Sequence, residues 1–177
     1  MSKLDHPINC AHQLLRRVIV KGRAQLLPLT EYSAEVSVWS NSVHFIELYP
    51  ETREVLEWCV ANSLVMTICS KSPDHNVIMA VMDAFEIWDW FLFPQIYSKQ
   101  KSVHFQALTT LTGLPYTSFL FFDDNSANIK TCKEMGICSL LVDRSTGLNW
   151  ESMVRGLDTY RNVEVSRSGI YSWLSSS

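Results

Sequence analysis

The chain has 177 residues, 47% hydrophobic and 19% charged, a composition that suits one domain with a substantial buried core. Its formal net charge of -3 supplies no electrostatic ground for binding nucleic acid or an acidic membrane surface, and no apolar run approaches the length of a bilayer span. No signal-peptide core opens the chain, and the five cysteines (Cys10, Cys59, Cys69, Cys132 and Cys138) form no C-x-x-C pair. An odd count, with Cys59, Cys69 and Cys138 inside apolar runs, argues against a disulfide framework or a zinc site. A reducing, cytoplasmic location is the expectation.

Taken in chain order, residues 1–15 are mixed, with a short helix expected to end at Arg16-Arg17. The β-branched run Val18-Ile19-Val20 predicts a strand. Residues 21–41 have poor periodicity and predict a loop with at most one irregular strand, and residues 43–48 predict an edge strand. Pro50 stands where a first helical residue belongs, with Glu51 and Glu54 near the positive helix end; Val55, Leu56, Cys59 and Val60 are expected to form that helix's buried stripe. Residues 64–69 predict a buried strand, followed by a turn from Ser70 to Asp74 and a helix marked by Val77, Ile78, Val81, Met82 and Phe85. An aromatic-rich extended stretch follows at 91–97. Val103, Ala107, Leu108 and Leu111 mark another helix, closed by Gly113 and Pro115. The four apolar residues Phe119–Phe122 predict a strand buried on both faces, and a helix through Ile129, Cys132 and Met135 stops at Gly136. A last strand at 138–142 and a helix at 150–160 complete the pattern, with Ile170, Tyr171, Trp173 and Leu174 in the serine-ended tail.

Strands alternating with helices at this spacing predict an α/β fold: a central, mostly parallel sheet with helices on both faces, in one domain over residues 1–177. Its core is expected over about 16–162, between an N-terminal extension at 1–15 and a tail at 163–177. No G-x-G-x-x-G and no Walker sequence is present, which weighs against nucleotide phosphates held by a glycine loop.

The most informative segment is Phe121-Phe122-Asp123-Asp124-Asn125-Ser126. It sets two adjacent carboxylates at the carboxyl end of a strand, where open α/β sheets bind ligands. Adjacent carboxylates repel, and hard oxygen ligands suit Mg²⁺. The plainer reading, of equal weight on spacing alone, has Asp124 or Asn125 capping the next helix and Asp123 solvated. The turns after the other strands carry Ser70-Lys71 and Ser98-Lys99-Gln100-Lys101. A hydroxyl, a lysine and a carboxylate pair converging on one sheet edge can hold a phosphoryl group and a metal. Singly, Ser70 reads as a turn residue and Lys99 and Lys101 as solvated side chains.

In that order these residues resemble the haloacid dehalogenase superfamily of phosphotransferases, and within it the magnesium-dependent phosphatase family. The matching segments are Leu48-Tyr49-Pro50, Gln95-Ile96-Tyr97, Lys101-Ser102-Val103-His104-Phe105, Thr112-Gly113-Leu114-Pro115, and Phe121-Phe122-Asp123-Asp124 with Asn128-Ile129. The resemblance implies a Rossmann-like three-layer fold. It also implies Ser70, Lys71 and Lys101 as phosphate-binding residues, Asp123 and Asp124 as metal ligands, and Mg²⁺-assisted phosphoryl transfer through an Asp nucleophile. The family's first motif, Asp-x-Asp after a strand, is the departure. The best match is Val18-Ile19-Val20-Lys21-Gly22-Arg23 before Leu26-Leu27-Pro28, with Lys21 at the nucleophile position and Arg23 at the acid/base position. Lysine cannot form an aspartyl phosphate and arginine stays protonated. No Asp-x-Asp occurs anywhere in the chain.

The resulting expectation is a pseudophosphatase with a binding or regulatory role and weakened Mg²⁺ binding, in which Lys21 pairs with Asp123 or Asp124. Its partner would be a phosphate-bearing small molecule or protein, with no role for nucleic acid or membrane. Two rival readings stand beside it. One is an active Mg²⁺-dependent phosphatase acting on phosphotyrosine or sugar phosphates. The other is a structural interaction module using exposed aromatics among Trp88, Trp90 and Trp173.

Overall fold

The computed structural model describes residues 8–9, 15–19, 33–36, 44–73 and 75–167. Lys21, Arg23 and the tail aromatics, Trp173 among them, lie outside the described residues, as does the expected pairing of Lys21 with the acidic residues. The elements run β1 (Ile8–Asn9), β2 (Leu15–Ile19), β3 (Ser33–Val36), β4 (His44–Leu48), α1 (Thr52–Ala61), β5 (Met66–Thr67), β6 (Cys69–Ser70), α2 (His75–Ala84), β7 (Gln95–Ile96), α3 (Lys101–Thr112), β8 (Leu120–Asp123), α4 (Ser126–Glu134), β9 (Cys138–Leu141) and α5 (Trp150–Arg167).

The central sheet is parallel, in the order β5-β1-β8-β9. Beyond a break at Ile68, β6 pairs in parallel with β7, and an isolated parallel bridge joins Met66 of β5 to Phe91 upstream of β7. A separate antiparallel sheet has the order β2-β4-β3. Strand β8 shows why the central sheet needs helices on both sides. Its alternate side chains enter two different cores: Leu120 and Phe122 join Val55, Leu56, Met82 and Met153 from α1, α2 and α5, while Phe119 and Phe121 join Phe105, Leu108, Ile129 and Cys132 from α3 and α4. Phe105 sits edge-on to both Phe119 (5.5 Å) and Phe121 (5.2 Å), the arrangement favoured by aromatic quadrupoles. This is the three-layer α/β architecture expected from the alternation of elements.

Four local expectations are corrected, and the buried face of α3 is established. The run at Val18-Ile19 does form a strand, but β2 pairs antiparallel with β4 outside the central sheet; the strand beside β8 is Ile8–Asn9. Arg16-Arg17 lie inside β2 rather than at a helix end. Strand β4 is the middle of its sheet, not an edge. On α3 the buried face is Lys101, His104, Phe105 and Leu108, while Val103 and Leu111 are exposed. Val60 of α1 is exposed as well. A strand's partner and a helix's buried face are tertiary choices that local propensity does not make.

Among the described residues no helix is long and apolar enough to cross a membrane, and Cys59, Cys69, Cys132 and Cys138 are buried thiols.

Candidate functional site

Strand β8 ends at Asp123, whose backbone carbonyl accepts from Val142 N–H at 3.0 Å and so ties the strand end to β9. The chain then turns into α4 with Asn125 as N-cap, its side-chain oxygen accepting from the N–H groups of Ala127 and Asn128. Of the two capping candidates read from the sequence, Asn125 is the cap. The turn leaves the two carboxylates in unlike surroundings.

Asp123 is not a solvated loop residue. Its side chain is 2% exposed and faces the equally buried ammonium of Lys101 at 3.3 Å. Oδ1 accepts from the backbone N–H of Asn125 at 2.8 Å and from Asn128 Nδ2 at 3.1 Å, and Oδ2 accepts from the same Nδ2 at 3.0 Å. A carboxylate offers about four lone-pair sites, and three donor groups, with Asn128 Nδ2 shared between the two oxygens, face them. Lys101, at the start of α3, also donates to the Cys69 carbonyl and lies over the Phe121 ring at 5.4 Å. It is therefore a buried bridge between β6 and β8 rather than a solvated lysine. Lys71, in the turn after β6, donates to Asn128 Oδ1 at 2.8 Å. The structure thus joins Lys71, Asn128, Asp123 and Lys101 in one chain of charge-assisted hydrogen bonds closed by the Lys101–Asp123 ion pair. Ser70 is buried at the end of β6, and its hydroxyl oxygen accepts from Ser72 N–H at 3.2 Å.

Asp124 is partly exposed, and Arg144 meets its Oδ2 through Nε at 2.9 Å. Arg144 lies in the turn between β9 and α5. Tyr49, which precedes α1, donates its hydroxyl to the Arg144 carbonyl at 2.7 Å. Asp143 accepts from both the backbone N–H and the hydroxyl of Ser145, at 2.6 Å each, and these bonds hold its carboxyl below the usual range.

Two further residues bear on chemistry. His104, one turn along α3 from Lys101, is fully buried with Nε2 3.0 Å from the Tyr97 carbonyl. Burial pushes its pKa down to about 4, the Tyr97 carbonyl opposes this, and Lys101 and Lys71 add to the lowering, so it is neutral near pH 7. Cys132 is buried beneath the site, and desolvation pushes its thiol up to about 12, so it carries no thiolate nucleophile.

The site's acidic pair is of the right type for a hard divalent cation, which takes oxygen ligands and keeps several waters. Asp123 and Asp124 are the residues that would hold it. No cluster of three or more His, Cys, Asp or Glu residues suited to a metal occurs among the described residues. A cation reaching Asp123 has to displace one of its three donor groups, whereas Asp124 is partly exposed beside Arg144.

The sequence marked Ser70, Lys71, Lys101, Asp123 and Asp124, and the structure brings Lys71, Lys101 and Asp123 into one network. It missed the work of Asn128 and Arg144. Asn128 had a signal, its place one helical turn beyond the Asn125 cap, facing back toward β8. Arg144 had none, because its pairing spans the β8–β9 connection.

The Acid Phosphatase family model matches residues 11–163. Magnesium-dependent phosphatase 1 of Homo sapiens is 26% identical over 119 residues, which are 67% of this chain and 66% of that protein. A HAD phosphatase from Thermococcus onnurineus shares the fold at 15% identity and a TM-score of 0.51, covering 60% of this chain and 52% of the other. β-Phosphoglucomutase from Clostridium difficile does so at 18% identity and a TM-score of 0.52, covering 67% and 59%. This chain thus spans a little under two thirds of the curated relative and less of these structures. With the parallel sheet, the acidic strand end and the buried lysine in place, the chain belongs to the Acid Phosphatase family, within the haloacid dehalogenase fold and similar to the magnesium-dependent phosphatases.

Proposed function

We propose that this protein binds a phosphate-bearing small molecule or protein without hydrolysing it, as a phosphatase-fold protein that lacks the covalent nucleophile. The observation that carries this reading is the absence of Asp-x-Asp from the whole sequence. Either candidate for the first-motif strand leads to the same result. Val18-Ile19-Val20 is followed by Lys21 and Arg23, and Ile8–Asn9, the strand beside β8, is followed by Cys10-Ala11-His12. Neither supplies a carboxylate to attack phosphorus, and thiol or imidazole groups do not replace the oxygen ligand that Mg²⁺ requires.

The anion-binding half of the site supports retained binding. Lys71 is exposed at its rim and Ser70 lies at the strand end behind it. Lys101 is committed to Asp123, so Lys71 makes the direct contact with a phosphate group and Lys101 sets the local potential. Mg²⁺ binding is weakened, because Asp123 is already satisfied by donors and only Asp124 adds a second acidic ligand.

The test is turnover of p-nitrophenyl phosphate and phosphotyrosine by the purified chain with Mg²⁺. Loss of a covalent nucleophile removes on the order of 10⁴–10⁶ in rate, so hydrolysis at background is expected. Calorimetric binding of inorganic phosphate that weakens in Lys71→Gln is the accompanying expectation. Robust hydrolysis abolished by EDTA overturns the reading.

A further inference from the structure

The loop between α2 and β7 shows solvent apolar side chains that its backbone does not require. Leu92 is 49% exposed and its neighbour Phe93 is 44% exposed, in the same loop as the partly buried Trp88 and Trp90. Phe93 has φ +54°, a left-handed conformation in which a bulky residue is an outlier and glycine is the ordinary choice. Three hydrogen bonds hold the backbone there. Leu92 N–H donates to the Met66 carbonyl at 2.8 Å, and the Phe93 carbonyl accepts from Thr67 Oγ1 at 3.0 Å and Gln95 Nε2 at 2.9 Å. All three engage main-chain groups of Leu92 and Phe93, so glycine at position 93 would make them equally well. The phenylalanine ring adds strain and is not repaid by full burial. A fixed, strained segment that turns aromatic and aliphatic side chains outward has the character of an interface core rather than of a solvated turn.

The charge around this loop selects the partner. Asp83 at the end of α2, Glu86 and Asp89 are exposed, and no Lys or Arg occurs between Lys71 and Lys99. One cation reaches the loop from α1: Arg53 lies over the Trp90 ring at 5.6 Å, donates to the Phe85 carbonyl and pairs with Glu57 at 3.6 Å. Trp90 thus already receives a guanidinium from its own chain. Like charge disfavours an acidic surface or an anionic membrane as the occupant. We propose that the Trp88–Phe93 loop docks a basic segment of another protein. A bulky apolar side chain of that segment packs on Leu92 and Phe93, and its Lys or Arg side chains meet Asp83, Glu86 and Asp89. The surface is independent of the phosphate site, so either can fail without the other.

The probe is a short synthetic peptide alternating lysine and leucine, with glutamate–leucine and lysine–serine peptides as controls, titrated into the full chain and followed by NMR. The lysine–leucine peptide should move the indole N–H signals of Trp88 and Trp90 and the amide signals of Leu92 and Phe93, and neither control should do so. Phe93→Gly removes the ring and suits the left-handed backbone. It should weaken peptide binding about fivefold or more while leaving the urea midpoint at or above that of the parent. Asp89→Asn should weaken binding about two- to threefold at low salt, with the loss shrinking as salt rises. The proposal is overturned if the peptide fails to bind, if its shifts fall on another surface, or if Phe93→Gly binds it as the parent does. Equal binding of the glutamate–leucine peptide would show that the partner is not basic. Self-association of the parent in sedimentation, lost in Phe93→Gly, would assign the loop to a second copy of this chain and overturn the assignment to a basic partner.

Discussion

Asp123 ends β8 with a buried carboxylate that meets a buried ammonium at 3.3 Å, whereas Asp124, one residue on, turns toward solvent and meets an exposed guanidinium at 2.9 Å. The shorter contact belongs to the weaker interaction. Water screens the Arg144 pair and the long side chain loses rotamer freedom in making it. At Asp123 the charges cannot be hydrated, so their value lies in what happens when one is removed. The lesson is that the ion pairs at this strand end divide by burial, not by distance: one is part of the scaffold, and the other is exposed to solvent.

Lys101→Met breaks the comparison hardest. It strands Asp123 as a buried carboxylate supported only by the N–H groups of Asn125 and Asn128, at a cost of about 3–5 kcal/mol. Arg144→Gln should cost about 0–1 kcal/mol by the same measurement, a shift of the urea midpoint at unchanged slope. Adding Asp123→Asn to Lys101→Met should recover part of the loss by removing the stranded charge. Equal costs for the two cation deletions would mean that burial does not separate the pairs.

Much of this site was legible in the sequence, for identifiable reasons. Four consecutive apolar residues leave little choice but a strand covered on both faces, so the position of Asp123 at a sheet edge followed directly. Asn125 is a good cap by residue type and fulfils that role. The illegible parts are those that need a partner. The β-branched character of Val18-Ile19 predicts extended backbone, but nothing local says that it joins β4 rather than β8. Ile8–Asn9 is too short to leave any period at all. Lys101 and His104 disrupt the apolar stripe of α3, and only tertiary contacts, Phe105 and Leu108 against Phe119 and Phe121 and Lys101 against Asp123, explain why that face is buried in preference to the one bearing Val103 and Leu111.

A substitution on the opposite face of β8 tests whether the buried carboxylate depends on the packing beneath it. Gly156 of α5 lies against Phe122, and a Cβ there would come within 2.5 Å of Phe122 Cζ and 2.8 Å of Cε1. Alanine in place of glycine inside a helix ordinarily gains about 1 kcal/mol from propensity. Here the Phe122 ring is fully buried and must shift, so overpacking wins and Gly156→Ala should destabilise the fold by about 1–3 kcal/mol. Phe122 directly precedes Asp123. The chemical-shift changes should therefore reach Asn128, which holds Asp123, before they reach Arg144. A stabilised Gly156→Ala variant would show that α5 and β8 pack less tightly than this.

The smallest expected effect concerns the two lysines that act on His104. In the folded protein His104 has a pKa lowered from 6.5 to about 4, first by burial and then, against the Tyr97 carbonyl, by Lys101 and Lys71. Unfolded, it protonates near 6.5. Between these values the unfolded state binds more protons, so stability is fully present above 6.5 and is lost as pH falls toward 4. Lys71→Gln removes one of the two cations but leaves the burial, which is the larger cause. The His104 pKa should therefore rise only slightly, and the acid-side loss of stability should shrink by a correspondingly small amount. NMR titration of the His104 ring in the parent and in Lys71→Gln, with urea midpoints across the same pH range, measures both. A His104 that titrates near 6.5 in the parent would mean that solvent reaches α3 at this point, and the contrast between a sealed Asp123 and an open Asp124 would lose its basis.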